Sequence, residues 1–171
     1  MRVLTACFCG VFRIRDVKAF WKLRDSILSL RKRGKLCRFL AKAESAVCTM
    51  IRRRYGAGIP VSENVQPFVT PHGFHGIFIS KYATVEEGCT IYQQVTIGQN
   101  SFIDPTCEGG NAPVVGKNCY IGVGAKIIGP CHVGENVRIG ANAIVIEDIP
   151  ENATVVLHKP RIIVREKDSN S

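Results

Sequence analysis

The stretch that decides the fold is residues 115–145, VGKNCYIGVGAKIIGPCHVGENVRIGANAIV, in which an aliphatic residue returns at every sixth position. The same spacing begins at residue 79 and is broken once by a loop. Its aliphatic positions are Ile79, Val85, Ile91, Ile97, Ile103, Val115, Ile121, Ile127, Val133, Ile139 and Val145. A period of six matches neither the 3.6-residue repeat of a helix nor the two-residue alternation of a strand. The pattern therefore indicates an internal structural repeat.

A second set of positions, four residues after the aliphatic ones, holds mostly small side chains. They are Ala83, Cys89, Val95, Ser101, Cys119, Ala125, Cys131, Val137 and Ala143. A coil with three short flat faces needs one inward side chain for each face and a small residue where the chain turns. Branched Ile and Val pack well on such pleated faces. The sequence therefore predicts an all-β solenoid, a parallel β-helix in which each coil pairs with its neighbours.

The charge of the 171-residue chain is divided unevenly between two regions. Residues 1–54 contain 15 Lys and Arg against 3 acidic residues, whereas residues 55–171 contain 8 against 11. The formal charges are therefore +12 and −3, which sum to the +9 of the whole chain. We predict a basic helical segment over residues 1–54, a β-helix domain over residues 55–154, and a C-terminal strand and tail over residues 155–171.

Apolar residues in the segment from residue 16 to residue 54 recur at intervals of three and four, with a break at Gly34. This spacing predicts two helices joined near Gly34. Their polar faces are basic, and one interpretation is that they are solvated while the helices pack on the β-helix or a neighbouring subunit. Another is contact with a membrane surface, since basic amphipathic helices attract anionic lipid. No nucleic-acid-binding motif accompanies the basic residues, so nucleic acid is not a predicted partner.

The eight cysteines show no paired spacing of the zinc type, and three of them fill the small-residue positions of the repeat. This distribution favours a reduced, cytoplasmic protein. Cys107, in a polar loop, is the thiol we expect to be most reactive. The apolar run at residues 3–12 is too short before its cysteine for an export segment. No stretch reaches the roughly 18 apolar residues of a membrane span.

The repeat loses phase within residues 70–76, TPHGFHG. The six-residue spacing also runs through an earlier set of positions, which is two residues out of phase with Ile79: Ile59, Val65 and Ile77. Bulges of this kind redirect side chains at functional sites. The bulge contains His72 and His75, so we place the candidate site there.

A second interruption separates Ile103 from Val115, where the segment DPTCEGGNAPV replaces or extends one coil. Polar, glycine-rich loops on a rigid scaffold are common places for substrate contacts. An alternative interpretation is that the loop has no role in the site.

Several segments resemble serine acetyltransferases and related O-acetyltransferases, a group of hexapeptide-repeat proteins. The resemblance covers about residues 56–164, and its segments are Pro71-His72-Gly73, residues 76–79, IYQQVTIG at 91–98, Val115-Gly116, YIGVGAKIIG at 120–129 and IGANA at 139–143. It implies a left-handed β-helix, although right-handed crossovers are the general rule for parallel strands. It also implies an acyltransferase that uses acetyl-CoA as co-substrate and works as a homotrimer.

The resemblance further implies which residues form the site. The His of the His-Gly motif corresponds to His72, which would act as the general base for the attacking hydroxyl, since a histidine pKa lies near neutrality. His75 lies three residues on and either assists or lines the site. Acetyl-CoA would lie along the prism between subunits, in contact with Gly98, Gln99, Val123, Lys126 and Ala141. No metal ion is implied.

The chain departs from the serine acetyltransferases at charged positions. The family has an Asp directly before the His and another fifteen residues ahead, where this chain has Pro71 and Ala57. An Arg-His pair in the loop is replaced by Asn111 and Ala112. Because recognition of polar groups needs matched partners, we expect the acceptor to be a hydroxyl of a small molecule or glycan, such as a sugar or polysaccharide precursor. Serine is the alternative acceptor.

Two hypotheses from other classes remain. A zinc enzyme of the carbonic anhydrase type would need three converging histidines, and only His72 and His75 lie close together in the sequence. A non-catalytic trimeric scaffold would use the basic helices to dock a partner and would not bind CoA.

Overall fold

The computed structural model describes residues 2–31, 35–100 and 111–157. Two helices, α1 (Arg2–Arg31) and α2 (Lys35–Tyr55), precede eleven short strands in this part of the chain. The strands are β1 (Phe78–Ile79), β2 (Thr84–Val85), β3 (Thr90–Ile91), β4 (Thr96–Gly98), β5 (Val114–Val115), β6 (Tyr120–Ile121), β7 (Lys126–Ile128), β8 (His132–Val133), β9 (Arg138–Ile139), β10 (Ile144–Val145) and β11 (Thr154–Val155).

The strands form three parallel sheets that are the three faces of a solenoid. The first face has the order β1-β4-β7-β10, the second β2-β5-β8 and the third β3-β6-β9-β11. Consecutive strands in the chain always lie on different faces, so each coil contributes to all three. This confirms the predicted parallel β-helix, in which strands pair only with the coils above and below.

The register reproduces the six-residue period. Phe78 pairs with Thr96 and Lys126 pairs with Ile144, and the residue numbers in each pair differ by 18, or three sixes. Between Thr96 and Lys126 the difference is 30. Twelve residues are therefore added to one coil between β4 and β5, so the polar loop extends a coil and does not replace one. Two predictions lie outside the described residues: the inward position of Ile103 and the reactive thiol of Cys107.

The predicted loss of phase is present. Val65 bridges to Val85, a difference of 20 residues, so this coil contains two more residues than an undisturbed one. One part of the prediction is wrong, because Ile77 does not occupy an aliphatic position of a face. The pairing of the next residue with Thr96 aligns Ile77 with Val95, at the corner before β1, where it is buried.

The interior of the solenoid is lined as the sequence predicts. The aliphatic side chains at the six-residue positions of the described strands from β1 to β10 are buried, and the small residues lie at the corners. Cys89 and Cys119 occupy the same corner in adjacent coils. Their thiols donate hydrogen bonds to the carbonyl oxygens of Gly116 and Gly134, at 3.3 and 3.1 Å. These two cysteines are therefore part of the packed core, as small apolar side chains are.

Helix α1 begins at Arg2, fourteen residues before the predicted start at residue 16, and it packs on the first coil. Aromatic rings make this contact at centroid distances of 5.1 to 5.9 Å: Phe20 and Trp21 of α1 against Phe68 and Phe74 of the coil. Arg24 is buried in the same contact, where its guanidinium donates to the carbonyl oxygens of Ser62 and Val65.

Two arginines at the basic C-terminal end of α2 also contact other parts of the protein. Arg52 donates a hydrogen bond to the carbonyl oxygen of Ile59 at 3.1 Å, and Arg54 lies 3.7 Å from the carboxylate of Asp16. The first contact agrees with helices that pack on the β-helix, and the second joins α2 to α1. Contact of the basic helices with a membrane surface stays a prediction. In the part of the chain that the structure describes, no helix is both long and apolar enough to cross a membrane.

Candidate active site

His72 lies on a turn within the bulge of the first coil. The hydroxyl of Thr70 donates to the carbonyl oxygen of Gly73 at 2.6 Å, and Gly73 adopts a φ of +78°, which few residues other than glycine tolerate. This turn leaves the His72 side chain exposed. Its imidazole lies 5.9 Å from the ring of Tyr92, measured between ring centroids, at an interplanar angle of 54°.

His75 lies in a different environment, partly buried at the corner between the third and first faces. Its imidazole packs edge-on against the ring of Tyr55, the last residue of α2, with centroids 4.8 Å apart. Its carbonyl oxygen accepts a hydrogen bond from the amide of Gln94 at 2.9 Å. The end of α2 therefore forms one wall around His75.

The structure stacks three of the predicted site residues at this corner. The amide of Gly124 donates to the carbonyl oxygen of Gln93, and the amide of Asn142 donates to that of Val123, at 3.0 and 2.8 Å. With the bond between Gln94 and His75, these contacts place four residues one above the other in successive coils: His75, Gln93, Val123 and Ala141. We call these four residues the corner column.

Lys126 begins β7 and lies beside the corner column. Its Nζ donates a hydrogen bond to the carbonyl oxygen of Gln94 at 2.7 Å. Gly98 and Gln99 are not at this corner, because Gly98 ends β4 and Gln99 follows it, at the opposite edge of the first face. A Cβ atom on Gly98 would lie 2.8 Å from Cδ1 of Ile128 in the next coil. The residues predicted to contact the donor therefore frame both edges of the first face.

Two tyrosines near His72 were missed by the sequence analysis. The rings of Tyr92 and Tyr120 have centroids 5.2 Å apart, and a hydrogen bond between the two side chains raises the pKa of Tyr120. Together His72, Tyr92 and Tyr120 form an aromatic row beside the third face. The sequence contained a signal for this pair, because Tyr92 follows Ile91 and Tyr120 precedes Ile121. Adjacent coils bring these two isoleucines together once the loop is recognised as an insertion.

Gln93 is a second residue whose environment the sequence did not show. Its Oε1 atom is buried and has no hydrogen-bond partner among residues 2–31, 35–100 and 111–157. Buried polar atoms normally have partners, so an unpaired acceptor in the corner column is typical of a place where a ligand or water binds.

The positions that depart from the serine acetyltransferases do not supply charge to the site. No carboxylate within the described ranges pairs with His72. Asn111 and Ala112 are buried, and the carbonyl oxygen of Asn111 accepts a hydrogen bond from the amide of Asn100 at 3.0 Å. These two residues are therefore packed into the coil as part of its structure. No group of three or more His, Cys, Asp or Glu suited to a metal ion occurs in the described part of the chain.

The fold and the six-residue repeat define a parallel β-helix of the hexapeptide-repeat kind. The family of bacterial transferase hexapeptide repeats, six repeats in length, matches residues 112–147. The chain resembles serine acetyltransferases: it is 40% identical to that of Synechococcus elongatus over 94 residues, which are 55% of this chain and 36% of the relative. It is 35% identical to that of Helicobacter pylori strain J99 over 96 residues, 56% of this chain and 53% of the relative. The chain spans about half or less of the length of the curated relatives it matches.

Solved structures agree with this comparison. Serine acetyltransferase 1 of Entamoeba histolytica in complex with L-cysteine has 32% identity and a TM-score of 0.56, with 67% of this chain and 44% of that chain covered. Serine acetyltransferase of Neisseria gonorrhoeae in complex with serine has 25% identity and a TM-score of 0.62, with 86% and 56% covered. The predicted left-handed parallel β-helix, preceded by N-terminal helices, is confirmed.

Proposed function

We propose that this protein is an acetyl-CoA-dependent O-acetyltransferase, with L-serine as the first acceptor to test. The observation that carries the proposal is the exposed His72 on a bulge of the β-helix, at the position of the His-Gly motif. The names of the curated relatives and the serine bound to the Neisseria gonorrhoeae structure support it.

The proposed reaction needs few groups. The imidazole of His72 takes the proton of the acceptor hydroxyl as its oxygen attacks the carbonyl carbon of the thioester. The new C–O bond gives a tetrahedral intermediate, and cleavage of the C–S bond then releases CoA. The proton held by the imidazole passes to the leaving thiolate, so the products are the O-acetyl ester and free CoA. His75, as a member of the corner column, lines the site in this proposal.

We place acetyl-CoA across the first face, between its two edges. The corner column and Lys126 lie at one edge, and Gly98 and Gln99 lie at the other. Small side chains at Gly98, Val123 and Ala141 would allow an extended pantetheine arm to approach the backbone. The buried, unpaired Oε1 of Gln93 could accept a hydrogen bond from an amide of that arm. The ammonium group of Lys126 would bind a phosphate of acetyl-CoA.

The identity of the acceptor is the point at which sequence and comparisons differ. The missing charges at Ala57, Pro71, Asn111 and Ala112 led us to expect a hydroxyl of a small molecule or glycan, such as a sugar, and the comparisons do not support that preference. They favour serine, the alternative. A serine enzyme would then bind the amine and carboxylate of its substrate through groups other than those four positions.

We also propose that the chain works as a homotrimer. A single narrow solenoid leaves apolar side chains on its outside, and here Phe78, Ile144 and Ile146 are 52%, 65% and 70% exposed. Association of three solenoids would cover such residues. Light scattering coupled to size-exclusion chromatography tests this, and a monomer at micromolar concentration would contradict it.

The acceptor test measures release of CoA by chromatography, because a thiol reagent would also react with the protein's cysteines. L-Serine is compared with a panel of sugars, and the product is identified by mass spectrometry. Formation of O-acetylserine supports the proposal. Turnover with a sugar but not with serine would replace serine as the acceptor and keep the acetyltransferase. No turnover and no binding of CoA would favour the scaffold hypothesis.

A further inference from the structure

His72 needs a neighbour that fixes its orientation. It is exposed on a turn, and its one ring contact in the described part of the chain is with Tyr92. A general base must be held close to its productive geometry, since a misplacement of about 1 Å can lower the rate about 100-fold. A carboxylate commonly orients such a histidine, and no described carboxylate pairs with His72.

Tyr92 is well supported for this role. Its amide donates to the carbonyl oxygen of Ile121 in the next coil at 3.1 Å, which fixes the backbone at the start of the turn. Its ring is only partly exposed and packs against the ring of Tyr120, with centroids 5.2 Å apart. Tyr120 is itself held in β6, where it pairs with Thr90 and Arg138. Tyr92 is therefore a braced side chain on one side of the imidazole.

We propose that Tyr92 is a positioning residue for His72, which holds the imidazole by ring contact where the chain lacks an orienting carboxylate. This inference rests on the proposed function, in which His72 is the general base. The role belongs to the ring of Tyr92 more than to its hydroxyl.

Two substitutions separate the ring from the hydroxyl. Tyr92→Phe keeps the ring, so we expect kcat within about 3-fold of wild type. Tyr92→Leu removes the ring and leaves His72 free to rotate, so we expect kcat to fall by about 10- to 100-fold, with KM for acetyl-CoA changed by less than about 2-fold. Tyr82→Leu is the matched control, because Tyr82 is a partly buried tyrosine at another corner of the same coil.

A spectroscopic measurement tests the contact without activity. In protein labelled at histidine, the Hε1 resonance of His72, assigned by its loss in His72→Ala, senses the ring current of Tyr92. We expect this resonance to stay near its wild-type position in Tyr92→Phe and Tyr82→Leu, and to move toward the random-coil position in Tyr92→Leu. If wild type shows this contact but transfers no acetyl group, the proposed function fails and the contact stands.

Two outcomes would overturn the inference. One is a Tyr92→Leu variant with wild-type kcat, and the other is a His72 resonance that does not respond to loss of the Tyr92 ring. If Tyr92→Leu does not fold, as judged by circular dichroism, Tyr120→Leu removes the brace behind Tyr92. That variant should then move the His72 resonance and lower kcat in the same direction, and the absence of both effects would also overturn the inference.

Discussion

Lys126 donates a hydrogen bond from Nζ to the carbonyl oxygen of Gln94, 2.7 Å away, across the corner between the third and first faces. Gln94 adopts a φ of +62°, a backbone conformation that residues other than glycine rarely adopt. The lysine thereby holds its ammonium group beside the corner column, one coil above His75. A cation fixed in this position is suited to meet a phosphate of the proposed donor.

Substitution of Lys126 by Met should weaken donor binding. Loss of a charge-assisted contact to phosphate is expected to raise KM for acetyl-CoA about 5- to 10-fold and to change kcat little. Steady-state kinetics at two salt concentrations measure this, and the variant should show a smaller salt dependence than wild type. Lys117→Met is the matched control, because Lys117 pairs with Glu87 at 3.1 Å on the second face. An equal rise in KM in both variants would contradict the assignment of Lys126.

Glycine at position 122 should be required by close packing between coils. A Cβ atom there would lie 2.8 Å from both the amide nitrogen of Ala141 and the carbonyl oxygen of Ile139, which cannot move aside as a flexible side chain could. We expect Gly122→Ala to lower the free energy of unfolding by about 2 to 3 kcal/mol. Chemical denaturation followed by circular dichroism measures the loss.

Gly140 provides the control for this prediction. It occupies the same position one coil later, where the nearest atom to an added Cβ is the carbonyl oxygen of Val155, at 3.1 Å. Gly140→Ala should therefore cost at least about 1 kcal/mol less than Gly122→Ala. A larger loss in Gly140→Ala would show that the coil spacing differs from that described.

Arg24 should anchor α1 to the β-helix. Its guanidinium is buried and donates to the carbonyl oxygens of Ser62 and Val65 at 3.0 and 2.7 Å. Arg24→Met would leave these carbonyls without their donor, so we expect a loss of about 2 to 4 kcal/mol in the free energy of unfolding. Lys22 lies two residues before Arg24 and is exposed on α1. Lys22→Met should therefore change stability by less than about 0.5 kcal/mol. Similar losses in both variants would mean that α1 does not dock through Arg24.

The thiol of Cys89 should stay protonated and unreactive in the folded protein. Its hydrogen bond with Cys119, together with burial, raises its pKa above the ordinary value for cysteine. Because the thiolate is the reactive form, alkylation by iodoacetamide at pH 9 should be slow in folded protein and fast in urea. The folded state holds the thiol proton more tightly than the unfolded state does. The contribution of this thiol to the free energy of unfolding is therefore present below pH 8 and declines as the pH rises beyond the pKa of the unfolded thiol. Peptide mass spectrometry measures the alkylation, and rapid modification before unfolding would contradict the burial.

Much of the fold could be predicted because its rule is local. One aliphatic side chain for each face and one small residue for each corner recur every six residues, and the described core from Ile79 to Ile97 and from Val115 to Val145 follows this rule. The two-residue slip and the extra length before Val115 also appear in the sequence as departures from the period. Ile77 was misplaced because an aliphatic residue also fits a corner position beside the bulge.

The remainder depends on contacts between distant segments, which the period does not encode. The docking of α1 joins Trp21 and Arg24 to a coil some 40 residues later, as the bond from Arg24 to Val65 shows. The position of His75 beneath Gln93, and that of His72 beside Tyr92, follow from the slip together with the pairing of coils. The sequence therefore placed the histidines in one region but could not show which side chains surround each of them.

The measurement that tests the central claim most directly is single-turnover acetyl transfer from acetyl-CoA in wild type, His72→Ala and His75→Ala, with CoA measured by chromatography. His132→Ala is the control, because His132 is exposed on β8 of the second face. We expect His72→Ala to lower the rate of transfer by about 100- to 10,000-fold, with CoA binding retained, and His132→Ala to match wild type. Transfer at the wild-type rate by His72→Ala would contradict the assignment of His72 as the general base.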